Sequence, residues 1–113
     1  MNKRLLGNEK EQIAVSYLIS NDYQIIFRNY RTNTGEIDII AIKNNTIVFI
    51  EVKYRKNANY GYPQEAVTYN KQQTIRNTAL YFMYKNNISP DTGFRFDVIN
   101  ILGNEITHIE NAF

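Results

Sequence analysis

The stretch GEIDIIAIKNNTIVFIEVKYR, residues 35–55, constrains the fold of this chain more than any other. Two runs rich in Ile and Val flank Asn44-Asn45, and β-branched residues bounded by a turn pair read as the two strands of a hairpin. A two-residue turn pairs Lys43 with Thr46, and counting outward from that pair sets Asp38 directly opposite Glu51. Strand alternation then puts Glu36, Asp38, Ile40 and Ile42 on one face with Ile47, Phe49, Glu51 and Lys53. The other face, Ile37, Ile39 and Ala41 with Val48, Ile50, Val52 and Tyr54, is apolar enough to be buried.

Opposed side chains on one face of an antiparallel pair have Cβ atoms roughly 5 Å apart, and like charges there are destabilising. A divalent cation offsets the repulsion between Asp38 and Glu51, since a hard ion such as Mg²⁺ takes one or two carboxylates together with water and phosphate oxygens. Lys53, two residues beyond Glu51 on the same face, is placed to polarise a water or stabilise charge on a phosphate. The ordinary alternative is a Glu36/Lys53 cross-strand pair on a solvated edge, with both acids at a wet end. Against it stand Ile40, Ile42, Ile47 and Phe49, which put the acids at the rim of a core, where a carboxylate is costly unless paired or metal-bound.

With 113 residues, 43% of them hydrophobic, residues 1–113 are expected to form one domain. The absence of Cys excludes disulfide and thiolate chemistry, and a lone His108 cannot build a His/Cys zinc site, so any metal must be held by oxygen. Charges run through the N-terminal MNKRLLGNEKEQIAVSYL and no apolar run reaches membrane-spanning length. A cytoplasmic protein without a membrane partner is therefore expected. The net charge of +2 permits an anionic partner without demanding one.

Leu5, Leu6, Ile13, Ala14, Tyr17 and Leu18 recur at helical spacing and predict a first amphipathic helix over 4–20, which Gly7 weakens. Strands are expected at 23–30, 35–43 and 46–55. A long second helix should start near Pro63 and bury Val67, Ile75, Ala79, Phe82 and Met83, with Gln64 and Glu65 as capping residues. Two last strands, 94–102 and 105–113, turn at Gly103-Asn104. The resulting order is αβββαββ, with no repeat and no linker.

GEIDIIA followed by IVFIEVKYR resembles the D-x(n)-E-x-K signature of the PD-(D/E)xK, restriction-endonuclease-like nucleases. Together with LGNEKEQIAVSYL, FRNYR, GYPQEAV, Lys71, RFDV and the terminal NAF, it also resembles the uncharacterised bacterial YraN-like family over nearly the whole chain. The resemblance implies an α/β restriction-endonuclease-like core, a central mixed sheet flanked by two helices. It implies Asp38 and Glu51 as metal ligands, joined by the Val52 backbone carbonyl, and Lys53 as the catalytic lysine. Archaeal Holliday-junction resolvases are similar in size and element order, which implies DNA, branched or in repair and recombination, as substrate and a homodimer as the working form. Two positions depart from the family pattern: Ile37 replaces the proline of the PD name, and Lys10 replaces the second glycine of a G-x-x-G-E-x-x-A pattern in helix 1.

Helical spacing alone does not choose between Glu9, which flanks the Leu5/Ile13 edge of the stripe, and Glu11, which flanks the Ala14/Leu18 edge. The resemblance favours Glu11 as an additional metal or water-binding acid. Lys71 shares a face with Val67 and Ile75, so its head either reaches a cleft or snorkels. Arg28, Arg31, Arg55 and Lys56 cluster at strand ends with Tyr54, Tyr60 and Tyr62, a combination suited to holding phosphates and stacking bases. Arg95 and Asp97 share a strand face and are expected to pair; His108 is assigned no chemistry. The leading expectation is an Mg²⁺- or Mn²⁺-dependent endonuclease. Its rivals are a nucleic-acid-binding module of the same fold that does not cleave, and an interaction domain with a vestigial site.

Overall fold

The computed structural model of the chain describes residues 3–56 and 67–113, with side chains from residue 7 onward. The elements are α1 (Lys3–Ser20), β1 (Gln24–Thr32), β2 (Gly35–Lys43), β3 (Thr46–Arg55), α2 (Tyr69–Lys85), β4 (Gly93–Leu102) and β5 (Glu105–Ile109), the expected αβββαββ order. The strands form one mixed sheet in the order β1-β2-β3-β4-β5. β1, β2 and β3 are an antiparallel meander, β4 runs parallel to β3, and β5 returns antiparallel to β4. A parallel pair needs a long crossover, and the stretch between β3 and β4 that contains α2 makes it.

Asn44 and Asn45 both adopt left-handed φ, 51° and 61°, the turn whose twist suits a two-residue hairpin. The β2–β3 ladder then runs from Lys43/Thr46 to Ile39/Ile50 in the expected register. Alternation splits the hydrophobic residues between two cores. Ile39, Ala41, Val48, Ile50, Ile99 and Ile101 pack under Ala14, Val15 and Leu18 of α1. Ile40, Ile47, Phe49 and Phe96 pack under Ile75, Ala79, Phe82 and Met83 of α2.

Several boundaries differ from the sequence reading. α1 runs through Gly7, and its buried stripe is rotated: Val15 is buried whereas Ile13 is 38% exposed. β1 continues to Thr32 because Arg31 and Thr32 still pair with Glu36 and Gly35. β5 stops at Ile109 instead of 113, since the Asn111 N–H turns back to donate to Asp97 (2.9 Å) and the Ala112 N–H to the Phe96 carbonyl (2.7 Å). α2 as described begins at Tyr69, where the Thr68 hydroxyl caps it by accepting from the Lys71 N–H. The expected helix start at Pro63, with Gln64, Glu65, Tyr60 and Tyr62, lies outside the described residues, as do the side chains of Leu5 and Leu6. No helix among the described residues is long and apolar enough to cross a membrane.

Candidate active site

Pairing along β2 is interrupted at Asp38. The β2–β3 ladder stops at Ile39/Ile50, one step short of the expected 38/51 pair. On the other side, the β1–β2 ladder pairs Arg28 with Ile39 and Tyr30 with Ile37 but skips Asp38. The residue it skips on β1 is Asn29, held at a left-handed φ of 54°. Alternation fails at the same place, contrary to expectation: Ile39 packs under α1, but Ile37 belongs to the core under α2. The Asp38 carboxylate takes over where the backbone lets go, its Oδ2 accepting the Val52 N–H at 2.8 Å. A side chain thus replaces a ladder carbonyl and pins Asp38 beside β3.

Glu51 follows Phe49 on the α2 side of β3 and is 8% exposed. Burial raises its pKa first and the Asp38 charge second, carrying it to about 7 against the opposing pull of Lys71 and Lys53. Asp38 is raised as well, mainly by burial, although the Val52 N–H opposes that shift and Glu36 adds to it. Lys71 projects from the first turn of α2, between Val67 and Ile75, and sets its Nζ 3.9 Å from Glu51 Oε1. The head of Lys71 therefore does reach the acids. Lys53, half-buried two residues beyond Glu51, acts on both carboxylates.

The rotated stripe of α1 settles the choice between its two acids geometrically. Positions 11, 14, 15 and 18 share one helix face, so Glu11 is carried inward with Ala14, Val15 and Leu18, while Glu9 is exposed. Burial and the neighbouring Asp38 raise Glu11, opposed by Asn29 and Arg28. Among the described residues its Oε1 is buried without a hydrogen-bond partner, and it lies 4.0 Å from Arg28 Nη2. Glu11, Gly7, Asn8, Asn29, Arg31 and Glu36 line a cavity of about 480 Å³ at this end of the sheet.

The structure therefore brings Asp38, Glu51, Lys53 and Lys71 together, sets Glu11 near Asp38 from the α1 side, and disperses the rest. Arg28 donates to Gln12 (3.0 Å) beside Glu11, and Arg31 pairs with Glu36 at 3.2 Å. Glu36 is thus the partner of Arg31 and not of Lys53, because β1 and β2 set 31 opposite 36. Arg55 and Lys56 are exposed at the end of β3, Arg55 donating to the Tyr54 carbonyl. Lys10 stands over the Tyr54 ring at 4.4 Å from its centroid. Asn29 was missed by sequence reasoning; the signal was a residue type that tolerates left-handed φ, set amid a strand of large side chains.

A second polar cluster lies on the α1 side. Asp97 is fully buried and accepts from Arg95 Nε (3.0 Å), the Asn111 N–H (2.9 Å) and His108 Nε2 (2.7 Å). The Arg95/Asp97 pair is as expected, whereas His108, given no role in the sequence reading, is its second partner. His108 Nδ1 contacts the Tyr17 hydroxyl at 3.0 Å, and Arg95 also donates to the Tyr23 hydroxyl at 2.6 Å. Burial raises Tyr17, the opposite of what an activated nucleophile needs, so this Tyr-His-Asp array fastens α1 to β4 and β5.

Among the described residues no three acidic or histidine side chains converge as a closed metal cage. Half-buried Asp38 and buried Glu51 are hard oxygen donors of the kind taken by Mg²⁺ or Mn²⁺, ions that keep several waters. Glu11 approaches Asp38 from the α1 side, with its Oε1 4.0 Å from Arg28. The arrangement fits a hard divalent ion.

A model described as "Uncharacterised protein family UPF0102" matches residues 10–101. A UPF0102 protein of Lachnoclostridium phytofermentans is 50% identical over 113 residues, covering all of this chain and 96% of its own. One of Alkaliphilus oremlandii is 50% identical over 118 residues, and one of Clostridioides difficile 45% over 115, each match spanning both chains completely.

Proposed function

The chain belongs to the UPF0102 family, and from its site we propose that it is a divalent-metal-dependent endonuclease that hydrolyses phosphodiester bonds in nucleic acid. One observation carries the reading: half-buried Asp38 and buried Glu51 stand where the β2–β3 ladder breaks, with Glu51 raised to about 7, beside Lys53 and Lys71. Two adjacent acids raised in this way are unfavourable as structural elements, the condition under which a bound cation stabilises the fold.

Asp38, Glu51 and the Val52 carbonyl would hold Mg²⁺ or Mn²⁺. When bound, the ion supplies Lewis-acid polarisation of a phosphate oxygen and a more acidic water. Lys53 places an ammonium where negative charge develops on the phosphate. Lys71, 3.9 Å from Glu51, tempers the carboxylate charge and draws an anionic substrate toward it. Glu11 orients a water from the α1 side through its unpartnered oxygen. Arg55 and Lys56, exposed beside the site, hold flanking phosphates. Arg28 and Arg31 join them after loosening from Glu11 and Glu36.

The D-x(n)-E-x-K order of Asp38, Glu51 and Lys53, and the resemblance to Holliday-junction resolvases, support DNA as the substrate and a homodimer acting on two strands. The test is cleavage of duplex, single-stranded and branched DNA and RNA in Mg²⁺ and in Mn²⁺, with Lys53→Ala prepared in parallel. Cleavage by the wild type, reduced about 100-fold or more in the variant while binding persists, is the expected result. Binding without cleavage of any substrate would make the protein a recognition module instead.

A further inference from the structure

Asn100 of β4 is 2% exposed, and among the described residues neither its Oδ1 nor its Nδ2 has a hydrogen-bond partner. A buried primary amide left unsatisfied at both atoms is costly, and a hydrocarbon of the same size would be cheaper there. Its position in the ladder shows what it is next to. In the parallel β3–β4 pairing Asn100 is the Cα partner of Lys53, as Val98 is of Glu51. Phe49 and Phe96, two strand steps back from Glu51 and Val98, share the α2 core, so Lys53 and Asn100 project from that same face. The unsatisfied amide thus belongs to the ladder partner of Lys53, on the strand away from Asp38.

An ammonium carries three donors, and none holds its direction without an acceptor. Glu51, the nearest acid along β3, already has Lys71 Nζ 3.9 Å from its Oε1. Resting on the nuclease reading, we propose that Asn100 is the positioning residue for Lys53: its amide oxygen receives one ammonium N–H when the site engages a phosphodiester, leaving the other two for the phosphate and water. The residue touches neither substrate nor metal and acts through Lys53.

The test uses full-length wild type, Asn100→Leu and Asn100→Asp, labelled with ¹⁵N-lysine and free of divalent metal. Each is bound to a short single-stranded oligonucleotide, and exchange of the Lys53 ammonium protons with water is followed by NMR. The expected result is exchange at least fivefold slower in wild type than in Asn100→Leu, with Asn100→Asp, which keeps the acceptor oxygen, within twofold of wild type. With Mg²⁺, Asn100→Leu should lower kcat about tenfold with KM unchanged, while its melting temperature stays level or rises. If Asn100→Leu does not fold, Asn100→Ala takes its place in both arms. Equal ammonium exchange in wild type and the apolar variant overturns the proposal. A wild type that cleaves nothing sinks the nuclease reading instead, and the exchange measurement still decides the role of Asn100.

Discussion

Replacing Glu51 by Gln removes a charge that the fold holds against its own interest, and the effect must depend on pH. Burial and Asp38 raise Glu51 from its ordinary 4.5 to about 7, a difference of about 2.5 units. Because the folded-state value lies above the unfolded one, the folded protein binds the proton more tightly. Stability is therefore fully present below about 4.5 and is lost as pH rises toward about 7. At 1.36 kcal/mol per unit, the full cost above pH 7 is on the order of 3 kcal/mol. Glutamine is nearly isosteric and never ionises, so Glu51→Gln should exceed wild type by under about 1 kcal/mol at pH 5 and by roughly 3 kcal/mol at pH 8. In a domain of this size that is a rise in melting temperature of roughly 8–15 °C at pH 8. Melts of both proteins at matched pH in EDTA measure it, and comparison at each pH cancels the other titrating groups. Saturating Mn²⁺ should recover much of the loss in wild type and none of it in the variant. A difference that is independent of pH, or a variant less stable than wild type at pH 8, would refute the reasoning.

Lys71→Met removes a cation that lowers both Asp38 and Glu51, so carboxyl ¹³C titration should show Glu51 ionising at higher pH than in wild type; an unchanged or lower midpoint would contradict the 3.9 Å contact. Asp97→Ala leaves Arg95 and His108 buried beside a missing carboxylate and should cost about 3–5 kcal/mol in urea denaturation, with a loss under about 1 kcal/mol telling against the buried network. Asp97 is held below its ordinary value by His108, Arg95 and the Asn111 N–H despite its burial, so this contribution should fade only as pH falls below about 4. Gly35→Ala drives its new Cβ into Thr74 Cγ2 where β2 meets α2, and should cost about 1–3 kcal/mol, only part of it restored in a Gly35→Ala/Thr74→Ser double variant because the backbone strain and the Thr78 contact remain; an unchanged melting temperature would contradict so close an approach.

The hairpin, the element order and both core faces beyond Ile39 were legible because period-2 alternation and an Asn-Asn turn leave few alternatives. The same rule failed at Asp38, where a side-chain acceptor for the Val52 N–H interrupts the ladder, and strand periodicity has no term for that exchange. Extrapolating the register one step past Ile39/Ile50 therefore gave a 38/51 ladder pair that the sheet does not make. Lys71 was legible from its place between Val67 and Ile75, because a cation on an apolar stripe must reach out of it. The inward turn of Glu11 was not, since it depends on whether Ile13 or Val15 enters the core, and both are β-branched aliphatics. His108 and Asn100 were invisible for a different reason. Each is defined by a neighbour on another element, Asp97 and Tyr17 in one case and Lys53 in the other, and only the assembled sheet brings these together.

The claim on which the account rests is that Asp38 and Glu51 share one divalent ion. Calorimetric titration of Mn²⁺ into wild type, Asp38→Asn and Glu51→Gln at pH 6 and pH 8 measures it most directly. The account predicts one site in wild type, bound more tightly at pH 8 because Glu51 has lost its proton there, and weakened at least tenfold by either substitution. Binding of equal strength in all three proteins, or stronger at pH 6 than at pH 8, would contradict it.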